Sequence, residues 1–107
     1  MEIHKYSVQH FAGGTEAYTL RARIDLYDEN NKHIGYIRFH KNVESMPAHD
    51  RKTSTLIVCD YPAAHYLEVL DVLRNERPLY LIFSERRQLG SIATSHEPIG
   101  EDEIPAG

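Results

Sequence analysis

A single cysteine, Cys59, in 107 residues excludes an internal disulfide framework. Long apolar runs are also missing. None approaches the roughly 20 residues that a membrane-crossing helix needs. The opening Met1-Glu2-Ile3-His4-Lys5-Tyr6 lacks the apolar stretch of a secretory signal. These absences lead to the expectation of a soluble cytoplasmic protein that makes no membrane contact.

An excess of positive charge is missing as well. The formal net charge is −4, and Glu97, Glu101, Asp102 and Glu103 fall in the last eleven residues. With those four set aside, 12 acidic residues face 12 basic ones. A near-neutral body with an acidic tail is not the balance of a protein that grips nucleic acid, so no nucleic-acid partner is expected.

The motifs that would name a reaction are absent too. Gly13-Gly14 lacks the GxxxxGK[ST] frame of a phosphate loop and precedes a strand pattern, not a helix. Seven histidines, at 4, 10, 33, 40, 49, 65 and 96, invite a metal. None are spaced i, i+2 on a strand or i, i+4 on a helix, the local pairs that metal sites usually recruit. No metal and no cofactor are therefore expected. Cys59 ends a strand pattern and opens a helix pattern, where a thiol pKa can fall. Asp60 beside it opposes a thiolate, and Ile57, Val58 and Tyr61 around it suit a small buried hydrophobe.

What remains is an outline of strands and one helix. Ile3–Phe11 reads as a first strand. In Tyr18–Tyr27, Leu20, Ala22, Ile24 and Leu26 alternate with polar residues, the period of a half-buried strand. Asp28-Glu29-Asn30-Asn31-Lys32 supplies hairpin residues. His33–His40 returns with Gly35, Ile37 and Phe39 on one face. Ser54–Cys59, Leu79–Phe83 and Leu89–Ser95 complete a set of six strands.

The helix is expected over Pro62–Glu76, with Asp60 as N-cap and Pro62 in the first turn. Its apolar arc would comprise Ala63, Tyr66, Leu67, Val69, Leu70 and Leu73. Leu67 and Leu70 are then core residues, and Glu68 lies on the wet stripe.

The pattern predicts an α+β fold. One antiparallel sheet of about six strands, in the order β-β-β-β-α-β-β, carries the helix on one face. A small curled β-barrel with one helix is the architectural alternative. Whether the Ser54 and Leu79 strands pair in parallel stays open. Residues 1–96 form one domain, and 97–107 an acidic, loosely ordered tail whose removal after Ile99 should leave the core intact.

Two places could carry function. If Leu20, Ala22, Ile24, Leu26, Ile37 and Phe39 are buried, the opposite face presents Arg21, Arg23, Tyr27, Tyr36, Arg38 and His40. Cations interleaved with aromatics can hold an anion or stack a base, and equally cover an ordinary wet face. The long connection Lys41–Thr53 offers His49, Asp50, Arg51 and Lys52. From it, His49 and Arg51 are the candidates for acid–base or anion-binding work.

Three function classes follow. The leading one is a non-catalytic binding or assembly module acting as a homodimer, the commonest symmetric state. The second is a small-molecule or anion binder using the Arg/Tyr face or the long loop. The third is an enzyme with residues drawn from distant loops, for which no paired carboxylates, metal pair or activated nucleophile speaks.

Overall fold

The computed structural model describes residues 1–12 and 19–94. In them the apolar alternation resolves into strands β1 (Glu2–Ile3), β2 (Lys5–His10), β3 (Leu20–Tyr27), β4 (His33–His40), β5 (Arg51–Lys52), β6 (Ile57–Pro62), β7 (Leu79–Ser84) and β8 (Leu89–Ala93). One α-helix, α1 (Tyr66–Asn75), follows a 3-10 turn at Ala63–His65. No helix among the described residues is long and apolar enough to cross a membrane.

The strands form two sheets and not the single six-stranded sheet expected. Five strands run in the order β2-β3-β4-β6-β5 and three in the order β1-β7-β8; neither sheet closes into a barrel. The first predicted strand breaks at His4. Glu2 and Ile3 pair with β7, whereas Lys5 onward pairs with β3, so the chain changes sheets at that residue.

The larger sheet is mixed. The β2–β3, β3–β4 and β5–β6 pairs are antiparallel, but β6 runs parallel to β4, with Ile37 beside Cys59 and Arg38 beside Asp60. The long connection after His40 carries the chain back to the start of β4, which a two-residue hairpin cannot do. The Ser54 and Leu79 strands therefore do not pair. They lie in different sheets.

The core forms between the inner faces. Ile24, Leu26, Ile37 and Phe39 of the larger sheet meet Leu79 and Leu81 of the smaller one, and Leu73 of α1 joins them; all are at most 1% exposed. Gly35 permits the closest approach. A Cβ there would stand 2.3 Å from the Ile57 carbonyl oxygen and 2.6 Å from a Leu81 methyl.

The helix is shorter than its pattern. β6 stays extended through Pro62, which has φ −60° and ψ 146°, and no side chain caps the turn that follows. Asp60 is thus a strand residue and not an N-cap; its carboxylate is engaged by Arg38 and His40. The helix also faces differently. Leu73 is fully buried, Tyr66, Val69, Leu70 and Val72 pack against the core, and Leu67 is 74% exposed. Tyr66 sets this rotation by meeting Phe39 edge to face at 5.1 Å and approaching His10 Nε2 through its hydroxyl at 2.8 Å. Both Gly13-Gly14 and the tail expected over 97–107 lie outside the described residues.

Candidate functional site

The outer face of the larger sheet follows from its register. Arg23 opposes Arg38 and Asp25 opposes Tyr36 across β3–β4, while Arg38 lies beside Asp60 across β4–β6. Arg23, Tyr27, Tyr36, Arg38 and His40 therefore share one face, together with two carboxylates. Arg21 sits where the β3–β4 register shifts between Leu20 and Ala22. It lines a separate depression with His10, Phe11 and Tyr66 that none of the other five enters.

The cations of this face are already paired. Arg23 donates to both oxygens of Asp25, at 2.8 to 3.2 Å, and lies 3.9 Å above the Tyr36 ring. The hydrogen bonding to Asp25 raises the Arg23 pKa, against a smaller opposing effect of burial. His33 Nε2 stands 2.9 Å from Asp25 Oδ1, poorly aligned for a hydrogen bond, and its ring stacks on Tyr36.

Arg38 grips Asp60 with Nε at 2.8 Å and an Nη at 3.2 Å, and His40 Nε2 donates to the same carboxylate at 2.6 Å. Nor is this end of the face wet. The Asp60 side chain is 1% exposed, His40 5% and Val58 2%. His40 Nδ1 has no hydrogen-bond partner among the described residues. The face reads as a packed layer of charge pairs. Its two carboxylates cancel the field that Arg23 and Arg38 would otherwise offer an incoming anion.

The long loop is different. His49, Asp50, Arg51, Lys52 and Thr53 form one wall of a cleft of about 610 Å³, and Phe83, Glu85 and Gln88 of the β7–β8 hairpin form the other. It joins the β5 edge of one sheet to the hairpin of the other, which no local sequence pattern reveals. His49, Arg51 and Lys52 make no side-chain hydrogen bond or ion pair among the described residues.

Asp50 holds the two walls together. Its oxygens accept the main-chain N–H groups of Asp60 at 2.9 Å and Gly90 at 2.8 Å, and its own N–H donates to the Gln88 carbonyl at 3.0 Å. Burial raises the Asp50 pKa, opposed in part by these two amides. Gln88 takes a left-handed φ of 50°, uncommon for a residue with a side chain, and so turns the hairpin toward the loop. At the far end, the Thr53 hydroxyl accepts from the Leu56 amide at 3.0 Å and fixes the return into β6.

This cleft keeps His49, Arg51 and Lys52 together and adds Glu85, Gln88 and Phe83, which sequence reasoning did not connect to them. It is open to solvent, and no second histidine lines it. Asp50 has both oxygens committed to main-chain amides, so it is not free to act on a substrate. The cleft can hold an anion against two cationic side chains, Arg51 and Lys52, with Glu85 on the opposite wall, and set an apolar or aromatic body on Phe83.

Cys59 is not a nucleophile. It is 0% exposed in mid-strand, and burial, then the charges of Asp50 and Asp60, push its thiol pKa well above the usual range. Burial likewise pushes Tyr61 up to about 12. Among the described residues no three His, Cys, Asp or Glu side chains come together as a metal site requires. No protein-family model, curated protein or solved structure matches the chain.

Proposed function

We propose that the protein is a non-catalytic binding module and that its ligand is a small anion with an apolar or aromatic body, taken in the cleft between the His49–Thr53 segment and the β7–β8 hairpin. One contrast carries this reading. The sheet-face cations Arg23 and Arg38 are neutralised by Asp25 and Asp60, whereas Arg51 and Lys52 line a cleft of about 610 Å³ and make no ion pair with a carboxylate among the described residues. Paired face cations and a net charge of −4 also favour a small ligand over nucleic acid. A soluble cytoplasmic setting suits a chain with one buried thiol. As a small module of this kind it acts as a homodimer.

The test is a titration followed by amide NMR, with inorganic phosphate and adenosine monophosphate as separate probes. Saturable shifts at Arg51, Lys52 and Gln88 are expected, larger for the nucleotide. They should weaken as salt rises, because exposed charge attraction is screened within about 8–10 Å. The Arg51→Gln/Lys52→Gln variant should lose them. No saturable shift, or shifts centred on Arg23 and Arg38, would overturn the assignment.

A further inference from the structure

The outer edge of the larger sheet is β2, and its register decides which main-chain groups face outward. Lys5 opposes Tyr27 and His10 opposes Ala22 without a bulge between them. Phe11 N–H donates to the Arg21 carbonyl at 3.0 Å, which makes 11 and 21 a hydrogen-bonded pair. In an antiparallel ladder such pairs alternate. Ser7 and Gln9 therefore bond to β3, while the N–H and C=O groups of Tyr6, Val8 and His10 point away from it. His4, whose amide reaches the Tyr27 carbonyl, precedes the strand and lies outside this alternation.

Among the described residues no strand lies on the outer side of β2. The edge carries none of the usual guards. It has no proline and no bulge, and its only lysine is at the first position. Val8 is on the core side, opposite Ile24, yet 39% exposed. A six-residue edge with a half-bare apolar side chain at its middle is a template for another strand.

We infer that β2 is the dimer interface, pairing antiparallel with β2 of a second copy about a two-fold axis through Val8. The strand is self-complementary in that register. Val8 meets its own counterpart, Tyr6 meets His10, and His10 meets Tyr6; each is an outward-facing pair, giving about six main-chain hydrogen bonds. Side chains match face by face. Tyr6, Val8 and His10 stay together on the core side, and Ser7 opposes Gln9 on the other. No like charges meet, because the only charged residue, Lys5, falls opposite Phe11. A second copy suits this edge because the register sets the half-exposed Val8 against its own counterpart and brings no like charges together.

A strand of six residues is about 20 Å long. Such a contact falls short of the roughly 800 Å² per partner of a standard interface, so the dimer belongs to the weak, reversible class. This inference gives a surface to the homodimer reading and does not depend on the cleft.

The experiment combines sedimentation equilibrium with amide hydrogen exchange, from about 1 µM to about 1 mM, a range that brackets weak association. The mass should rise from 12.3 kDa toward twice that value. Over the same range the Tyr6, Val8 and His10 amides should exchange about tenfold more slowly, while Ser7 and Gln9 stay protected throughout. Val8→Pro removes an outward N–H and leaves the β2–β3 ladder whole, so it should stay folded and monomeric. Ser7→Pro breaks that ladder and should lower the melting temperature. Val8→Lys, which sets two like charges across the axis, gives the same reading should Val8→Pro fail to fold. A wild type monomeric at every concentration overturns both the dimer and its surface. A dimer that survives Val8→Lys overturns the surface alone. Outward amides protected equally at all concentrations would mean that the chain caps its own edge, which also overturns the proposal.

Discussion

The Asp50 carboxylate accepts the Gly90 main-chain N–H at 2.8 Å, across 40 residues of chain, while its other oxygen takes the Asp60 N–H at 2.9 Å. One side chain thereby ties β8 of the smaller sheet to β6 of the larger. Gly90 makes this possible, because a Cβ there would lie 2.4 Å from Cys59 Sγ. Asp50→Asn keeps one acceptor and turns an NH2 toward the other amide. It should cost about 1–3 kcal/mol, the penalty of one unsatisfied buried donor, measured by chemical denaturation at neutral pH.

The pH dependence of that tie has a definite sign. The folded-state pKa of Asp50 is raised by burial. Between the unfolded carboxylate value and the raised one, the folded protein holds the extra proton, so this group's contribution to stability falls as pH rises through that window. The stability gap between wild type and Asp50→Asn should narrow as pH rises from the unfolded carboxylate value of about 4 through the raised folded-state value. Thermal melts of the two proteins across that range decide it; a widening gap contradicts the assignment.

Asp60 is the buried centre of a polar cluster with Arg38 and His40. Removing the carboxylate strands a half-buried guanidinium, so Asp60→Ala should cost about 3–5 kcal/mol. In a double-mutant cycle with Arg38→Gln, the coupling should be about 0.5–3 kcal/mol. A coupling near zero would mean that Asp60 matters only through its volume.

The rotation of α1 ranks three leucines. Leu73→Ala empties a fully buried position and should cost about 2–5 kcal/mol. Leu70→Ala should cost less, since that side chain is only partly buried. Leu67→Ala, at 74% exposure, should stay within about 0.5 kcal/mol. Urea midpoints give the order directly.

Cys59 should resist thiol reagents in the native state and react fully once unfolded. Its burial keeps reagent out, and its raised pKa keeps it protonated. Rapid native-state labelling at neutral pH would contradict both points.

The sequence alone determined the elements whose pattern is local. The alternation of Leu20, Ala22, Ile24 and Leu26 against Ile37 and Phe39 is intrinsic to a strand with one buried face, and the hairpin emerged as read. The Tyr66–Asn75 helix was legible for the same reason, because apolar spacing of 3.6 needs no knowledge of neighbours. The flags on His49 and Arg51 also came from the sequence, from the length and polarity of their loop.

Tertiary structure decided the rest. Leu67 and Tyr66 are adjacent apolar residues at the margin of one arc, and only the contact of Tyr66 with Phe39 and His10 chose which would pack. Asp60 has the composition of an N-cap, but Arg38 and His40 arrive on a parallel neighbour 22 and 20 residues earlier and claim its carboxylate inside the sheet. The division into two sheets turns on the change of partner at His4, which carries no sequence mark. The cleft is also a tertiary product, since Phe83, Glu85 and Gln88 reach the loop only because Asp50 pins Gly90. Such contacts join segments from 20 to 78 residues apart, and their register is fixed by packing and hydrogen-bond satisfaction across the whole domain, which a local period does not encode.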